Sequence, residues 1–154
     1  MKQLLETKTK VRFQDCDPFN HLNNAKYLDY FMNAREDQLL EYYSIDIFKM
    51  AKTELKSWVV TSNQIAYLKP AFTMEEIVIE SQLIHYTDKS LKVEMRMYNE
   101  TKTELKSLYW VNFVHFDLKT QRPTVHSEEL MQLFETVITN VKTHNFDERM
   151  ISIR

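Results

Sequence analysis

The chain has 154 residues, a length that suits one domain whose core needs neither metal nor disulfide. Its 20 basic and 22 acidic residues give a net charge of −2 and form no long run of one sign, which excludes an extended nucleic-acid-binding face. No apolar stretch approaches the roughly 20 residues of a membrane span; the amino-terminal MKQLLETKTK lacks the apolar core of a signal peptide, and the lone Cys16 has no internal partner, so a cytoplasmic protein is expected.

Val11 and Phe13 flank Arg12 in strand-like alternation, and the apolar positions then switch to helical spacing at Leu28, Phe31, Met32 and Leu39. The turn between them is therefore Asp15 to Asn23. A helix is expected from about Asn24 to Tyr43, with a looser continuation through Ile47 to Met50; its wide apolar arc suits a helix wrapped by a sheet. Strands follow at Trp58 to Leu68, Ile77 to Tyr86, Leu91 to Tyr98 and Leu105 to Phe116, with hairpin turns at Thr87 to Ser90 and Asn99 to Lys102. In the third of these, Leu91, Val93, Met95 and Met97 alternate with Lys92, Glu94, Arg96 and Tyr98, which predicts one buried face and one wet face.

Ser127, followed by Glu128 and Glu129, opens a last helix with Leu130, Leu133, Phe134, Val137, Ile138 and Val141 on one stripe. The reading is one α+β domain over 1–154, a curved antiparallel sheet around a long central helix, with its core at about 7–142 and a polar tail at 143–154. The chain has no glycine, so turns fall to residues that tolerate the left-handed conformation, expected at Asn20, Asp88, Asn99 and Asp117.

The run VRFQDCDPFNHLNNAKYLDYFMNAR places two carboxylates, a histidine and two amides between strand and helix. A carboxylate beside the unpaired N–H groups of a helix start can serve as general base or nucleophile next to an oxyanion hole. Asp17 and Asp15 compete for that role. Cys16, flanked by acids that disfavour a thiolate, reads as a small packed filler. The five histidines show no metal-ligand pairing, and a glycine-free chain holds no phosphate-cradling glycine loop or dinucleotide fingerprint, so neither metal nor cofactor is expected.

At these residues the sequence resembles a family. DCDPFNHLNNAKYLDYF is similar to the active-site stretch of hot-dog-fold acyl-CoA thioesterases of the 4-hydroxybenzoyl-CoA thioesterase type, and plant acyl-ACP thioesterases carry a similar D-x-x-x-H-V-N-N run. The likeness extends over roughly Thr7 to Pro123, through Y-x-x-P-A at Tyr67 to Ala71 and K-S at Lys89 and Ser90. The resemblance implies the hot-dog fold and hydrolysis of an acyl-CoA to free acid and CoA. Asp17 falls at the position of the catalytic acid, and the backbone N–H of Asn24, seven residues on, at that of the donor to the thioester oxygen. His21 would orient water, hold Asp17 or protonate the leaving thiolate. Asn23 caps the helix, Phe19 and Tyr27 would edge an apolar acyl slot together with the Trp58 strand, and Lys89 and Ser90 would meet the CoA phosphates. The chain departs from the pattern at Asn20, where many such enzymes have glycine, and at Phe19, where the plant enzymes have a catalytic asparagine. A homodimer or homotetramer with the active site at the interface is implied, with no nucleic-acid partner. An acyl-ACP thioesterase and a non-catalytic thioester-binding module are the alternative readings.

Overall fold

The alternation read from Ile77 to Phe116 folds into three long antiparallel strands that form the middle of one curved sheet. In the computed structural model, which describes residues 1–154, the strands are β1 (Leu5–Lys10), β2 (Lys56–Tyr67), β3 (Glu76–Tyr86), β4 (Ser90–Asn99), β5 (Leu105–Asp117) and the two-residue β6 (Arg122–Pro123). Their order is β1-β3-β4-β5-β2, every pairing is antiparallel, and β6 pairs with β5. The helices are α1 (Tyr27–Tyr43), α2 (Ile47–Thr53), α3 (Glu128–Val137) and α4 (Phe146–Ile153). None is long and apolar enough to cross a membrane.

The sheet curls around α1. Ile77, Ile79, Leu83, Val93, Met95, Met97, Tyr109 and Val111 face Tyr27, Phe31 and Ala34 of the helix in one apolar cluster. This is the hot-dog arrangement. The helix starts through a 3-10 turn at Asn24–Lys26 and ends at Ser44, whose φ of 56° is left-handed.

The first strand lies earlier than its expected place at Val11 to Phe13. Its inward positions after Leu5 are Thr7 and Thr9, polar residues that hide the alternation, and Thr7 is accommodated by a hydrogen bond from Gln38 Nε2. Val11 is still buried, with backbone bonds to Met74 and Glu75, but Phe13–Asp15 form a 3-10 turn that exposes the Phe13 ring. The left-handed positions also differ from expectation: of the four named residues only Asn20 (φ 63°) is left-handed. Asn99 and Asp117 shape their turns by accepting backbone N–H bonds on their side chains, and the left-handed angle falls on Lys102 and Gln121.

Two expectations at the C-terminus are corrected together. The stripe continues to Val141 in sequence, yet α3 ends at Val137, and the polar tail, to which the sequence assigned no element, holds α4, capped by Asn145. Phe146 packs edge-on against Trp110 at 5.5 Å, and Arg149 grips Glu94 with Nε–Oε2 at 2.7 Å and Nη2–Oε1 at 2.8 Å. The expected wet face of β4 is thereby covered: Glu94 is fully buried, with Trp110 Nε1 and Gln82 Nε2 also donating to it. The core therefore reaches beyond 7–142, from Leu5 to Phe146.

At the far edge of the sheet from β1, β2 is a 12-residue edge strand, and Val59 through Gln64 are exposed on both of its faces. An edge of that length is a ready template for another strand.

Candidate active site

Asp17 folds its own loop. Its Oδ1 accepts from the backbone N–H of Phe19 (2.9 Å) and of His21 (3.1 Å), and its C=O accepts from Asn20 N–H (3.0 Å). The loop closes because Asn20 takes the left-handed conformation that glycine would otherwise supply. All of this uses one carboxylate oxygen; Oδ2 of the half-buried side chain makes no hydrogen bond to the protein.

Asp15 is differently placed. Its Oδ2 accepts from the Tyr30 hydroxyl at 2.6 Å, the Tyr30 oxygen accepts from Arg12 N–H at 2.9 Å, and the Asp15 C=O holds Asn23 N–H at 3.0 Å. Burial, reinforced by the bond to Asp15, pushes the Tyr30 phenol up to about 12. Between them, Cys16 donates to Arg12 O at 3.4 Å and packs partly buried against the core.

The His21 imidazole makes no hydrogen bond. It is the backbone of His21 that holds Asp17, while the ring lies edge-on to Phe72 at 5.2 Å and 6.4 Å from Phe19. Asn23 caps the helix start as expected, its Oδ1 accepting from Ala25 N–H at 3.0 Å, and the N–H of Asn24 donates to no protein acceptor. An unpaired N–H at the start of the 3-10 turn that leads into the 17-residue α1 is suited to receive a developing oxyanion.

The floor of the site is the segment 68–75. Leu22 N–H donates to Ala71 O at 2.7 Å and Thr73 N–H to Asn20 O at 2.9 Å. Below it lies Lys106, only 1% exposed, whose Nζ donates to Pro70 O at 2.7 Å and pairs with Glu75 at 3.1 Å. Sequence reasoning missed this lysine, which shares the convex face of β5 with the buried Leu108 and Trp110. Phe19, Phe72, Met74 and Tyr67 leave a largely exposed apolar rim around the loop.

Not every expected residue is at this end of the sheet. Lys89 and Ser90 form the β3–β4 turn, separated from the Asp17 loop by the length of strands of 11 and 10 residues, about 30 Å. That turn is anchored from behind by two histidines that sequence reasoning left unassigned. His115 N–H donates to Lys89 O and His126 N–H to Asp88 O, both at 2.8 Å. The imidazoles stack 5.3 Å apart, and Trp58 covers His115 at 4.1 Å. The Ser90 hydroxyl is engaged with Thr87 at 2.6 Å, and Lys89 is exposed.

The expected acyl slot is also divided. Phe19 is 77% exposed on the rim, whereas Tyr27 is buried against Tyr67 at 5.0 Å. The β2 residues Trp58 and Val60 line a different feature, an apolar cavity of about 190 Å³ between α1, α3 and the concave face of the sheet. Phe19, Tyr27 and Trp58 thus do not edge one slot within a protomer, because Tyr27 points into the core from the first turn of α1.

Comparison with known proteins agrees with this geometry. Residues 11–134 match the Thioesterase-like superfamily. The chain is 30% identical over 134 residues to the long-chain acyl-CoA thioesterase FadM of Escherichia coli K12, covering 87% of this chain and 99% of FadM. The crystal structure of the YbaW probable thioesterase from Escherichia coli superposes with a TM-score of 0.74 at 30% identity, over 88% of this chain and 99% of that one. The DHNA-CoA thioesterase of Staphylococcus aureus shares the fold with a TM-score of 0.80 at 18% identity, over 87% and 90%. The curled antiparallel sheet, the central helix and the extent of these matches lead to one conclusion: the chain is an enzyme that belongs to the Thioesterase-like superfamily of hot-dog proteins.

Proposed function

We propose that the protein hydrolyses an acyl-CoA thioester to the free acid and CoA, in the manner of the 4-hydroxybenzoyl-CoA thioesterase type, at a site built on Asp17 and the start of α1. The observation that carries this reading is the pair of unsatisfied groups in one loop-to-helix unit: the Oδ2 of Asp17 and the N–H of Asn24. The relationship to FadM, named for acyl-CoA thioesters, supports the substrate class.

In the general-base form, Asp17 Oδ2 takes a proton from water as the water oxygen attacks the thioester carbon. The carbonyl electron pair moves onto oxygen, where the Asn24 N–H stabilises it. Collapse then breaks the C–S bond, and the proton returns from Asp17 to the CoA sulfur, directly or relayed through His21. In the nucleophilic form, Asp17 attacks the carbon itself, the C–S bond breaks and the CoA thiolate leaves, taking up a proton; water then cleaves the mixed anhydride, freeing the acid and restoring the Asp17 carboxylate. Both routes begin at the same free oxygen.

The unpaired β2 edge supplies the rest of the site. Antiparallel pairing of two β2 edges would lay the Lys56 end of the partner's strand beside the Tyr67 end of this one, next to the Asp17 loop. Because Ser90 is in register with Val114, and Val114 with Val59 of β2, that pairing brings the partner's Lys89 toward Asp17. We therefore assign CoA binding to a homodimer in which Lys89 and Ser90 come from the other protomer, with the exposed rim around Phe19 covered at the interface. The free thiol of Cys16 supports a reducing compartment. A panel of acyl-CoA thioesters, followed by thiol release with wild type and Asp17→Asn, tests the reading: it expects turnover by the first and not the second.

A further inference from the structure

α1 carries a guanidinium into the apolar core. Arg35 is 8% exposed, and it donates through Nη1 to Ser81 Oγ at 2.8 Å. Ser81 in turn donates to Gln38, whose Nε2 is spent on Thr7 Oγ1 and Ile79 O, both at 3.0 Å. No carboxylate lies within ion-pair distance, and Nε and Nη2 have no acceptor in the protein, yet neither atom is sealed from solvent. Burial draws the Arg35 pKa down to about 10, which leaves it cationic at neutral pH.

This cation lines the 190 Å³ cavity, where 14 of the 17 lining residues are hydrophobic. The other charged lining residue, Glu36, is solvent-exposed and makes no ion pair with it. Buried charges in folded proteins are paired or hydrogen-bonded throughout, because an uncompensated one is strongly destabilising. A plain hydrocarbon tail in the cavity would worsen that imbalance by displacing solvent from the guanidinium. An aliphatic carboxylate corrects it at one end and fills apolar space at the other.

We propose that the cavity is a binding site for a free aliphatic carboxylate, its head paired with Arg35 and its chain against Trp58, Leu133 and Phe134. Size agrees, since an apolar cavity of about 150 Å³ accepts benzene, so this one accommodates about six to eight carbons with the head group. Tyr43, Ile45 and Leu133 also border a wider groove of about 600 Å³, which gives a longer tail an exit. Arg35 lies about 16 Å along the helix from Asn24, so the carboxylate occupies a place distinct from the reacting carbon. That its natural ligand is the acid the enzyme releases rests on the proposed thioesterase reaction; the site itself does not.

Octanoate and 1-octanol are titrated into the full-length protein, with Trp58 fluorescence and calorimetry as readouts and no turnover involved. Octanoate is expected to saturate one site per chain at least tenfold more tightly than octanol. Arg35→Met should remove that advantage while octanol still binds, and Asp17→Asn should bind octanoate as wild type does. Equal binding of the two ligands by wild type, or failure of octanoate to bind, overturns the site even if Arg35→Met does not fold. Loss of turnover on every thioester with octanoate binding intact would count against the proposed function and leave the site standing.

Discussion

Tyr30 and Asp15 share a 2.6 Å hydrogen bond that separates the roles of the motif's two carboxylates. Asp15 is bound from the helix side and clamps the approach to Asn23, whereas Asp17 keeps one oxygen unengaged. Tyr30→Phe and Asp15→Asn are therefore expected to lower stability by about 1.5 to 3 kcal/mol, the scale of a hydrogen bond to a charged group, and to reduce kcat less than tenfold. Urea unfolding beside steady-state kinetics checks both halves of this expectation.

Glu94 and Arg149 fasten α4 to the convex face of the sheet. Burial alone would raise the Glu94 carboxyl, but the bonds from Arg149 and Trp110 outweigh it and hold it below the usual carboxylate range. Its contribution is therefore present at neutral pH and is lost as pH falls through the lowered folded value. Arg149→Ala leaves that carboxylate buried with one partner fewer and should cost about 3 to 5 kcal/mol; urea denaturation at pH 7 measures it. The activity of the folded fraction should be unchanged, since α4 lies on the face away from α1.

His115 gives the opposite kind of buried group, one kept neutral. Burial, with smaller contributions from His126 and Lys56, lowers it from 6.5 to about 4. Between these values the unfolded chain binds the proton and the folded chain does not, so stability falls as pH drops from about 6.5 toward 4, by up to about 1.4 kcal/mol per unit. Thermal unfolding across that window should show a slope that His115→Phe, which keeps the stack on Trp58, reduces, the remainder coming from His126, which burial also lowers.

The sequence was readable wherever one residue pattern determined one environment. The three long central strands and α1 follow from periodicity, and Ser127 and Asn23 cap the helices they precede. What escaped were features decided by distant partners. β1 was placed too late because its inward positions are polar, and one of them, Thr7, is satisfied by Gln38, 31 residues away. α4 was missed because its docking residue, Glu94, reads as solvated until Arg149 covers it. The unpaired state of Arg35 is legible only when the whole sheet surrounds it. For the site, the motif delivers Asp17, His21, Asn23 and Asn24 to one loop, but no linear pattern tells that Lys89 lies about 30 Å away along the strands.

That separation makes the shared site testable by mixing. Lys89→Glu alone should raise KM for acyl-CoA with kcat held, since phosphate contacts act equally in ground and transition states, and Asp17→Asn alone should be nearly inactive. Heterodimers of the two contain one site with both native residues, so co-refolding the variants should restore a fraction of turnover with native KM. Mixtures that only average the two parents would place Lys89 outside the site.

Asp17 carries the chemistry through its free oxygen, and the isosteric change to asparagine removes that function alone. The amide oxygen can still accept from Phe19 and His21, so the loop should hold, while the negative charge and basicity of the free oxygen are gone. Measured by thiol release from a good acyl-CoA substrate, folded Asp17→Asn is predicted to retain binding and lose about 10²- to 10⁴-fold in kcat. Wild-type turnover by the folded variant would rule out Asp17 as base or nucleophile and transfer the chemistry to Asp15 or His21.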